Sequence, residues 1–320
     1  MSIPSINLNN PDVEGLTSAL RSACIDVGFF YLEGHEIEAK VFEQVREQSE
    51  ALFTLPGGEK KALSDPVMSR GYTAMGEETL DPENQRRGDT KEGFYIGKDV
   101  LPDSTEYNPA KLSGPNVWPS KELSPTLPDC EAFQDTMLMY RERCMRVGFR
   151  LVQLLALAIG LDEHFFDSYF ADPLATIRLL HYAKERSTPE EGVFACGAHS
   201  DYGMLTLLWT DSNAGLQILT KDGVWIDVPP RPTAFVVNLG DMLERWTNGL
   251  FRSTLHRVLT SGDQERYSVP FFYDPNFDTE VRVLDVCCSP DNPPKYPHTT
   301  SGQHLLDKYK QTHADFRPEE

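Results

Sequence analysis

The sequence predicts a mixed α/β fold with a mainly β core, and three observations support this. Eight short runs between residues 175 and 284 have strand character, and turns rich in Gly, Pro, Asn and Asp separate them. The long stretch Cys130 to Ile159 is apolar at helical spacing. The first 55 residues show a helix, strand, helix pattern. The number and spacing of the strands indicate a sandwich or a jelly roll.

The N-terminal part is predicted to form a cap. Apolar residues at helical spacing predict helices over 11–27 and 36–55, and the aromatic run 28–34 predicts a strand between them. From Ser64 to Leu127 the chain is rich in Gly, Pro and charge, which is typical of a lid-like loop. Short ordered pieces are expected inside it at 70–72 and 91–95.

The remaining residues are predicted to hold the core. The division is 1–127 for the helix and strand cap with its lid-like loop, and 128–320 for the bracing helix, the β core and a C-terminal helix, together forming one compact unit. The predicted strands are 175–182, 205–209, 215–219, 224–228, 234–239, 253–260, 267–273 and 280–284, and the last helix is 303–313.

Composition restricts the class of protein. The 320 residues include 30 Lys and Arg against 49 Asp and Glu, so the formal charge is −19, which argues against a nucleic-acid partner. The opening MSIPSINLNN has no signal-peptide pattern, and no run of eighteen apolar residues occurs, so no membrane association is expected. The six cysteines show no Cys-x-x-Cys spacing. A cytoplasmic monomer with reduced thiols is the expectation.

Three residues form a candidate metal site. His199 and Asp201 are two positions apart, so in an extended segment their side chains leave the same face. His256 follows after residues 202–255, in the middle of a predicted strand. Two histidines and one carboxylate leave open positions on an octahedral ion, which suits a non-haem Fe(II) that binds a co-substrate and O2.

A second pair predicts an anion site. Arg266 and Ser268 share one face of the next strand, so a guanidinium and a hydroxyl point together at a carboxylate. The His199, Asp201, His256, Arg266 and Ser268 spacing resembles that of the 2-oxoglutarate and Fe(II)-dependent oxygenase superfamily, in its isopenicillin N synthase-like branch. CIDVGFFYLEGH, NLGDMLERWTNGLFRSTLHRV and RYSVPFFYDP extend the resemblance. RGYTAMGEETLDPENQ and KEGFYIG are similar to a plant, algal and fungal small-molecule subgroup.

The resemblance implies a double-stranded β-helix that uses Fe(II), 2-oxoglutarate and O2, with ascorbate as a reductant in assays. It implies that Tyr182 donates its hydroxyl to 2-oxoglutarate, beside Arg266 and Ser268. The products are succinate, CO2 and a small metabolite that has been hydroxylated, desaturated or ring-closed. No residue need act as a catalytic acid or base.

The substrate side is predicted more broadly. Candidate pocket residues are Arg70, Tyr72, Phe94, Trp246 and Phe272. Arg70, with Arg86 and Lys91, is a candidate for holding an anionic group. A carboxylated or N-heterocyclic metabolite is expected if Arg70 lies in the pocket.

Some alternatives remain open at this stage. They are an Fe(II) oxidase of the same fold that does not use 2-oxoglutarate, a zinc hydrolase, and a non-catalytic small-molecule-binding protein. Asn238 and Asp241 are expected to cap local backbone in a turn. The expected surface or loop histidines are His35, His164, His298, His304 and His313.

Overall fold

The computed structural model describes residues 2–65 and 70–312. Within this part of the chain, the N-terminal third contains five strands and three helices. They are β1 (Ser5–Asn7), α1 (Val13–Asp26), β2 (Phe29–Glu33), α2 (Ala39–Phe53), α3 (Gly57–Ala62), β3 (Ser64–Asp65), β4 (Arg70–Thr73) and β5 (Lys91–Ile96).

The rest of the described chain adds three helices and ten strands. They are α4 (Cys130–Ile159), β6 (Leu174–Tyr182), β7 (Cys196–His199), β8 (Leu205–Thr210), β9 (Leu216–Leu219), β10 (Trp225–Asp227), β11 (Phe235–Leu239), α5 (Asp241–Trp246), β12 (His256–Val258), β13 (Arg266–Asp274), β14 (Glu280–Val281), β15 (Thr299–Thr300) and α6 (Ser301–Thr312).

Two sheets build the core. Among the described residues, the major sheet runs in the order β1-β2-β11-β8-β13-β6-β5-β4-β3 and the minor sheet in the order β10-β9-β12-β7. Apolar side chains from both sheets, such as Tyr31 and Val236 of the major sheet and Ile218 and Val258 of the minor sheet, form one buried cluster. The other face of the major sheet packs against α1, α2 and α4. The predicted mixed α/β fold with a mainly β core is confirmed.

The bracing helix α4 has the predicted bounds. Asp129 caps its first turn by accepting a hydrogen bond from the Ala132 N–H at 3.0 Å, and Gly160 ends it in the left-handed region at φ 96°. Gly148 lies where the helix meets the sheet, since a Cβ there would be 2.8 Å from the Tyr273 ring. A glycine at this position therefore lets α4 approach β13 closely.

The expected ordered pieces of the 64–127 region are the strands β4 and β5, and β5 pairs with β6 inside the major sheet. β1 and β2 join the same sheet at its other end. The N-terminal residues thus complete the main sheet as well as capping it, and the boundary at residue 127 stays a prediction. All six cysteines are free. No helix in the described ranges is long and apolar enough to cross a bilayer.

Candidate active site

His199, Asp201 and His256 lie together at one end of the paired strands β7 and β12 of the minor sheet. One ligand atom from each residue lies within 4.8 Å of the other two. The Nε2 atoms of His199 and His256 are 3.8 and 3.7 Å from Asp201 Oδ1, which is too long for direct hydrogen bonds. Two imidazole nitrogens and one carboxylate oxygen around a common point can hold one divalent transition metal.

Strand pairing brings the two histidines together. His199 is the last residue of β7 and lies opposite His256, the first residue of β12, with ring centroids 4.2 Å apart. Two predictions from the sequence were wrong in detail. His256 begins its strand and does not lie in its middle, since residues 253–255 before it are not part of a strand. Asp201 lies in the loop after β7 and not on the strand.

Backbone carbonyls orient both rings. Nδ1 of His199 lies 2.9 Å from the Gly197 carbonyl oxygen, and Nδ1 of His256 lies 3.2 Å from that of Thr254. If each Nδ1 carries the proton and donates it to the carbonyl, Nε2 keeps its lone pair for a metal. Thr254 is itself fixed, because its hydroxyl donates to the Val27 carbonyl oxygen at 2.7 Å.

The chain around Gly28 supports this arrangement. Gly28 has φ 71°, and a Cβ there would lie 2.4 Å from the Arg252 carbonyl oxygen, so only glycine fits. The next residue, Phe29, packs its ring edge-on against His256 with centroids 5.3 Å apart. The N-terminal GFF segment therefore positions the segment that carries His256.

The carboxylate of Asp201 has two fixed donors. Asn238 Nδ2 donates to Asp201 Oδ2 at 2.7 Å, and the Thr206 hydroxyl donates to the same oxygen. Asn238 is on the strand β11, so the expectation that it caps a local turn was wrong. Residue spacing in the sequence could not predict that Asn238 binds Asp201, because the contact joins β11 to the loop after β7.

Backbone contacts clamp the loop that carries Asp201. The Asp241 N–H donates to the Asp201 carbonyl oxygen at 2.8 Å, and the Met242 N–H donates to that of Gly203 at 3.1 Å. A Cβ at Gly240 would lie only 2.2 Å from the Gly203 carbonyl oxygen. The expectation that Asp241 caps local backbone was wrong, because its carboxylate accepts hydrogen bonds from the side chains of Ser253 and Lys308.

Electrostatics favour the protonation states that a metal needs. Burial opposes the charge of Asp201, but His256, His199 and the two hydrogen bonds outweigh it and hold the pKa of Asp201 below its ordinary value. Burial, together with the neighbouring His199, lowers the pKa of His256 to about 4. The site therefore offers an ionised carboxylate and a neutral imidazole, which are the forms that bind metal.

A buried cationic side chain, Arg266, lies on the inner face of the major sheet, which is the face that packs against the minor sheet. Arg266 and Ser268 share one face of β13, and Arg266 pairs directly with Tyr182 of β6. The Arg266 guanidinium carbon is 4.8 Å from the Tyr182 ring centroid, and the side chain is 2% exposed. Nη1 of Arg266 is buried without an acceptor among the described residues. A buried, unpaired arginine N–H fits a carboxylate ligand.

Tyr182 remains a donor in this setting. Burial raises the pKa of Tyr182, although Arg266 acts in the opposite direction. Its hydroxyl group also has a side-chain hydrogen bond with Ser268. Arg266, Ser268 and Tyr182 thus form one polar group that can bind an anion.

A cavity of about 1200 Å³ lies beside two of the three candidate metal ligands. His199 and Asp201 line it on one side, and Phe272 and Thr176 line it on the inner face of the major sheet. Leu305 and Tyr309 of α6 form another wall. The cavity is large enough for a small metabolite beside a metal centre.

The structure separates the predicted substrate residues into two groups. Arg70, Tyr72 and Phe272 line the cavity, although the Tyr72 hydroxyl is directed at Glu92, to which it donates at 2.5 Å. Phe94 and Trp246 are in the hydrophobic core and not among the described residues that line the cavity. Phe94 packs on Phe133, and Trp246 packs on Phe166 and Tyr169. Trp246 was misassigned because nearness in sequence to the strands that carry the candidate ligands does not determine where a ring packs. Phe94 was expected near the pocket from the resemblance, but its side chain lies on the sheet face that packs against α4.

Helix α6 adds contacts that the sequence did not predict. His304 Nε2 lies 2.8 Å from the carbonyl oxygen of Tyr202, the residue after Asp201, and Tyr309 packs edge-on against the Tyr202 ring. His304 is buried in α6, so its assignment to the surface or a loop was wrong, whereas His35 lies in the loop after β2, as expected, although it is buried. His164 and His298 are exposed, as expected, and His313 lies outside the described residues.

Comparisons with known proteins agree with this geometry. Residues 175–275 match the family model of the 2OG-Fe(II) oxygenase superfamily, and residues 3–121 match that of the non-haem dioxygenase in morphine synthesis N-terminal region. The 2-oxoglutarate-Fe(II) type oxidoreductase hxnY of Emericella nidulans is 36% identical over 304 residues, covering 93% of this chain and 85% of the relative.

The chain belongs to the 2-oxoglutarate and Fe(II)-dependent oxygenase superfamily. It is also 34% identical to kihadalactone A synthase LFS of Citrus sinensis, over 98% of this chain and 93% of that protein. A crystal structure of a full-length Neurospora crassa protein in complex with alpha-KG superposes with a TM-score of 0.83 at 30% identity, covering 97% of this chain and 96% of that one. Another crystal structure of the same Neurospora crassa protein contains alpha-KG and thymine.

The family membership confirms several predictions. The fold is a double-stranded β-helix, and the chain is an Fe(II)- and 2-oxoglutarate-dependent dioxygenase. It oxidises a small molecule with O2 and forms succinate and CO2. The alternatives of a zinc hydrolase, an oxidase without 2-oxoglutarate and a non-catalytic binding protein are set aside.

Proposed function

We propose that His199, Asp201 and His256 bind the Fe(II) ion on one face and leave its other positions to 2-oxoglutarate and O2. The observation that carries this assignment is the convergence of the three ligand atoms within 4.8 Å. The hydrogen bonds from Asn238 and Thr206 occupy Oδ2 of Asp201 and leave Oδ1 directed at the histidines. The protein thus fixes the ligands before the metal arrives.

The co-substrate is assigned to the polar group on β13 and β6. Arg266 and Ser268 bind the distal carboxylate of 2-oxoglutarate by charge-assisted hydrogen bonds, and Tyr182 donates its hydroxyl to the same molecule. The buried Nη1 of Arg266, which lacks an acceptor among the described residues, supports this role. Bound iron with 2-oxoglutarate and O2 supplies the oxidant for a substrate C–H bond, and the co-substrate leaves as succinate and CO2.

The substrate is proposed to be a small carboxylated or N-heterocyclic metabolite that occupies the cavity beside His199 and Asp201. The cavity volume supports a small molecule. The Neurospora crassa relative has been crystallised with thymine, an N-heterocycle, which supports the heterocyclic class. Within the cavity, Arg70, Tyr72 and Phe272 are the proposed contacts among those predicted from the sequence.

Succinate release tests this function. Purified protein is supplied with Fe(II), ascorbate, air and 2-oxoglutarate, and wild type is compared with Asp201→Ala across a panel of small heterocycles and carboxylates. We expect release that requires Asp201 and that rises with one compound class. Equal release by Asp201→Ala would exclude the proposed metal site.

We also propose that the protein works as a monomer in the cytoplasm. The free cysteines support a reducing compartment. The exposed large apolar side chains, such as Leu101 and Val224, occur singly in the sequence. Size-exclusion chromatography with light scattering tests the monomer, for which a mass near 36.1 kDa is expected.

A further inference from the structure

The cavity contains a buried arginine that is not among the residues proposed to bind iron or 2-oxoglutarate. Arg178 lies on β6, four residues before Tyr182, so the two side chains leave the same face of the strand. It lines the cavity together with Thr176, Tyr95 and Phe272. Arg178 therefore lies in the wall of the cavity, on the same face of the major sheet as the proposed co-substrate site.

Arg178 is held in one position. Its Nη2 donates to Glu78 Oε1 at 2.5 Å, and its guanidinium carbon lies 4.4 Å from the Tyr95 ring centroid. Glu78 Oε2 also pairs with the ammonium group of Lys91 at 3.0 Å. Contacts on two sides fix the guanidinium plane, so a ligand does not have to order it.

The same network reaches the strand that carries His199. Lys91 pairs with Asp89 as well as with Glu78, and Asp89 Oδ1 accepts the Gly197 N–H of β7 at 2.9 Å. The guanidinium of Arg178 is thus tied, through Glu78, Lys91 and Asp89, to the strand that ends at a proposed iron ligand. Its position relative to the iron is set by the fold.

One donor of Arg178 has no acceptor. Nε is buried and forms no hydrogen bond with any residue in the described ranges, although Nη2 is paired. A Cβ at Gly93, on the adjacent strand, would lie 3.1 Å from Nε, so the glycine keeps larger groups away from it. A buried guanidinium N–H without a partner indicates a ligand acceptor.

The charge of the cavity determines which acceptor fits. Its described lining carries eight Asp and Glu side chains against four Lys and Arg side chains, and the acidic excess remains when Asp274, whose pKa burial raises to about 7, is left out. Two of these cationic side chains form ion pairs with carboxylates. The ammonium group of Lys98 pairs with Asp172 at 2.8 Å, and that of Lys111 pairs with Asp278 at 2.5 Å. The formal charges of Fe(II) and of the 2-oxoglutarate dianion cancel, so the net charge of the cavity lining stays negative. A negative lining disfavours an anionic substrate.

We propose that Arg178 anchors a neutral, planar substrate through a carbonyl oxygen or ring nitrogen, with Glu78 as the positioning residue. Phe272 and Tyr95 supply aromatic surfaces beside this donor. The inference rests on the proposed function and narrows it, because it favours an uncharged N-heterocycle over a carboxylated metabolite. Arg178 then specifies which side of the substrate faces the iron.

The test uses matched pairs of probes on the same ring. They are thymine with 5-carboxyuracil, and pyridine-3-carboxamide with pyridine-3-carboxylate, extended to a library of such pairs. Affinity is measured by calorimetry without O2, on protein loaded with Fe(II) and 2-oxoglutarate. We expect at least one neutral member to bind at least tenfold more tightly than its carboxylated partner. Tighter binding of the carboxylates, or no binding by any neutral member, would overturn the inference.

Two variants connect the affinity to Arg178. Arg178→Gln removes the charge, and Arg178→Lys keeps the ion pair with Glu78 but removes Nε. Both are expected to lose at least tenfold in affinity for the neutral probe, while Arg146→Gln, an exposed change on α4, has no effect. Unchanged affinity in Arg178→Lys and Arg178→Gln would contradict the inference. Binding of 2-oxoglutarate to wild type, measured alongside, tests the proposed function separately.

Discussion

His199 and His256 face each other across the antiparallel strands β7 and β12, with their ring centroids 4.2 Å apart. They are 57 positions apart in the chain, so only the pairing of the minor sheet makes them neighbours. The third proposed ligand, Asp201, is held from the major sheet by Asn238 and Thr206. The proposed iron site therefore depends on both sheets and on the loop between them.

Loss of the Asn238 amide should weaken iron binding. Asn238→Ala removes one of the two donors to Asp201 Oδ2, which lets the carboxylate rotate. Loss of a hydrogen bond that orients a ligand typically lowers metal affinity about 10- to 100-fold, and we expect that range for Fe(II) titrated without O2. Asn10→Ala, an exposed asparagine, is the control and should bind Fe(II) as wild type does. Wild-type affinity in Asn238→Ala would show that Asp201 is oriented by other groups.

Gly240 should be required for the position of the Asp201 loop. In Gly240→Ala the new Cβ meets the Gly203 carbonyl oxygen at 2.2 Å, so either that loop or the start of α5 must shift. We expect lower iron affinity and a free energy of unfolding reduced by about 1–3 kcal/mol, as is typical for overpacking.

The matched control for this change is Gly58→Ala. Gly58 lies in α3, and no atom lies within 4 Å of the position that a Cβ would take there. The substitution should therefore leave iron affinity unchanged and stabilise the helix slightly. If the two alanine variants bind Fe(II) equally well, the packing of Gly240 does not control the site.

Arg266 should set the affinity for 2-oxoglutarate. Arg266→Lys keeps the positive charge but loses the planar pair of N–H donors, which a carboxylate prefers. Because charged hydrogen bonds contribute about 1.5–3 kcal/mol, we expect the KM for 2-oxoglutarate to rise about 10- to 100-fold. Arg46→Lys, on the surface of α2, is the control. An unchanged KM in Arg266→Lys would remove this residue from the co-substrate site.

Asp274 should make stability depend on pH. Burial raises the pKa of Asp274 from 3.8 to about 7, against the Met204 N–H, which acts in the opposite direction. Because the folded-state pKa is above the unfolded value, the stabilising contribution is fully present below about pH 4 and is lost as the pH rises through about 7. Relative to Asp274→Asn, wild type should therefore lose stability over this range, by at most about 1.4 kcal/mol per pH unit.

Urea denaturation of the two proteins at several pH values, with metal chelated, measures this difference. Asparagine keeps an oxygen that can accept the Met204 N–H, so the comparison isolates the carboxyl proton. Asp103→Asn, an exposed position, controls for the loss of one acidic group. Parallel stability curves for wild type and Asp274→Asn would contradict the prediction.

The sequence was sufficient for the parts of the site that follow from spacing along one strand. Arg266 and Ser268 are two positions apart on β13 and therefore share a face of the strand. The helix α4 has a regular apolar stripe and is capped by Asp129 and Gly160. The sequence was insufficient where a role depends on contacts between distant strands. Asn238 donates to a residue 37 positions away, and Arg178 meets Glu78 across 100 positions. Phe94 and Trp246 were misplaced for the same reason, since only the packed sheet determines whether a ring faces the cavity or the core.

The most direct test of the iron site is the binding of 2-oxoglutarate measured by calorimetry without O2, with and without Fe(II), in wild type and Asp201→Ala. We predict strong binding to wild type only when Fe(II) is present, because the ion and Arg266 hold opposite ends of the molecule. We also predict that Asp201→Ala loses this dependence together with its iron. Equal binding of 2-oxoglutarate with and without Fe(II), or unchanged iron-dependent binding in Asp201→Ala, would contradict the assignment of His199, Asp201 and His256 as the iron ligands.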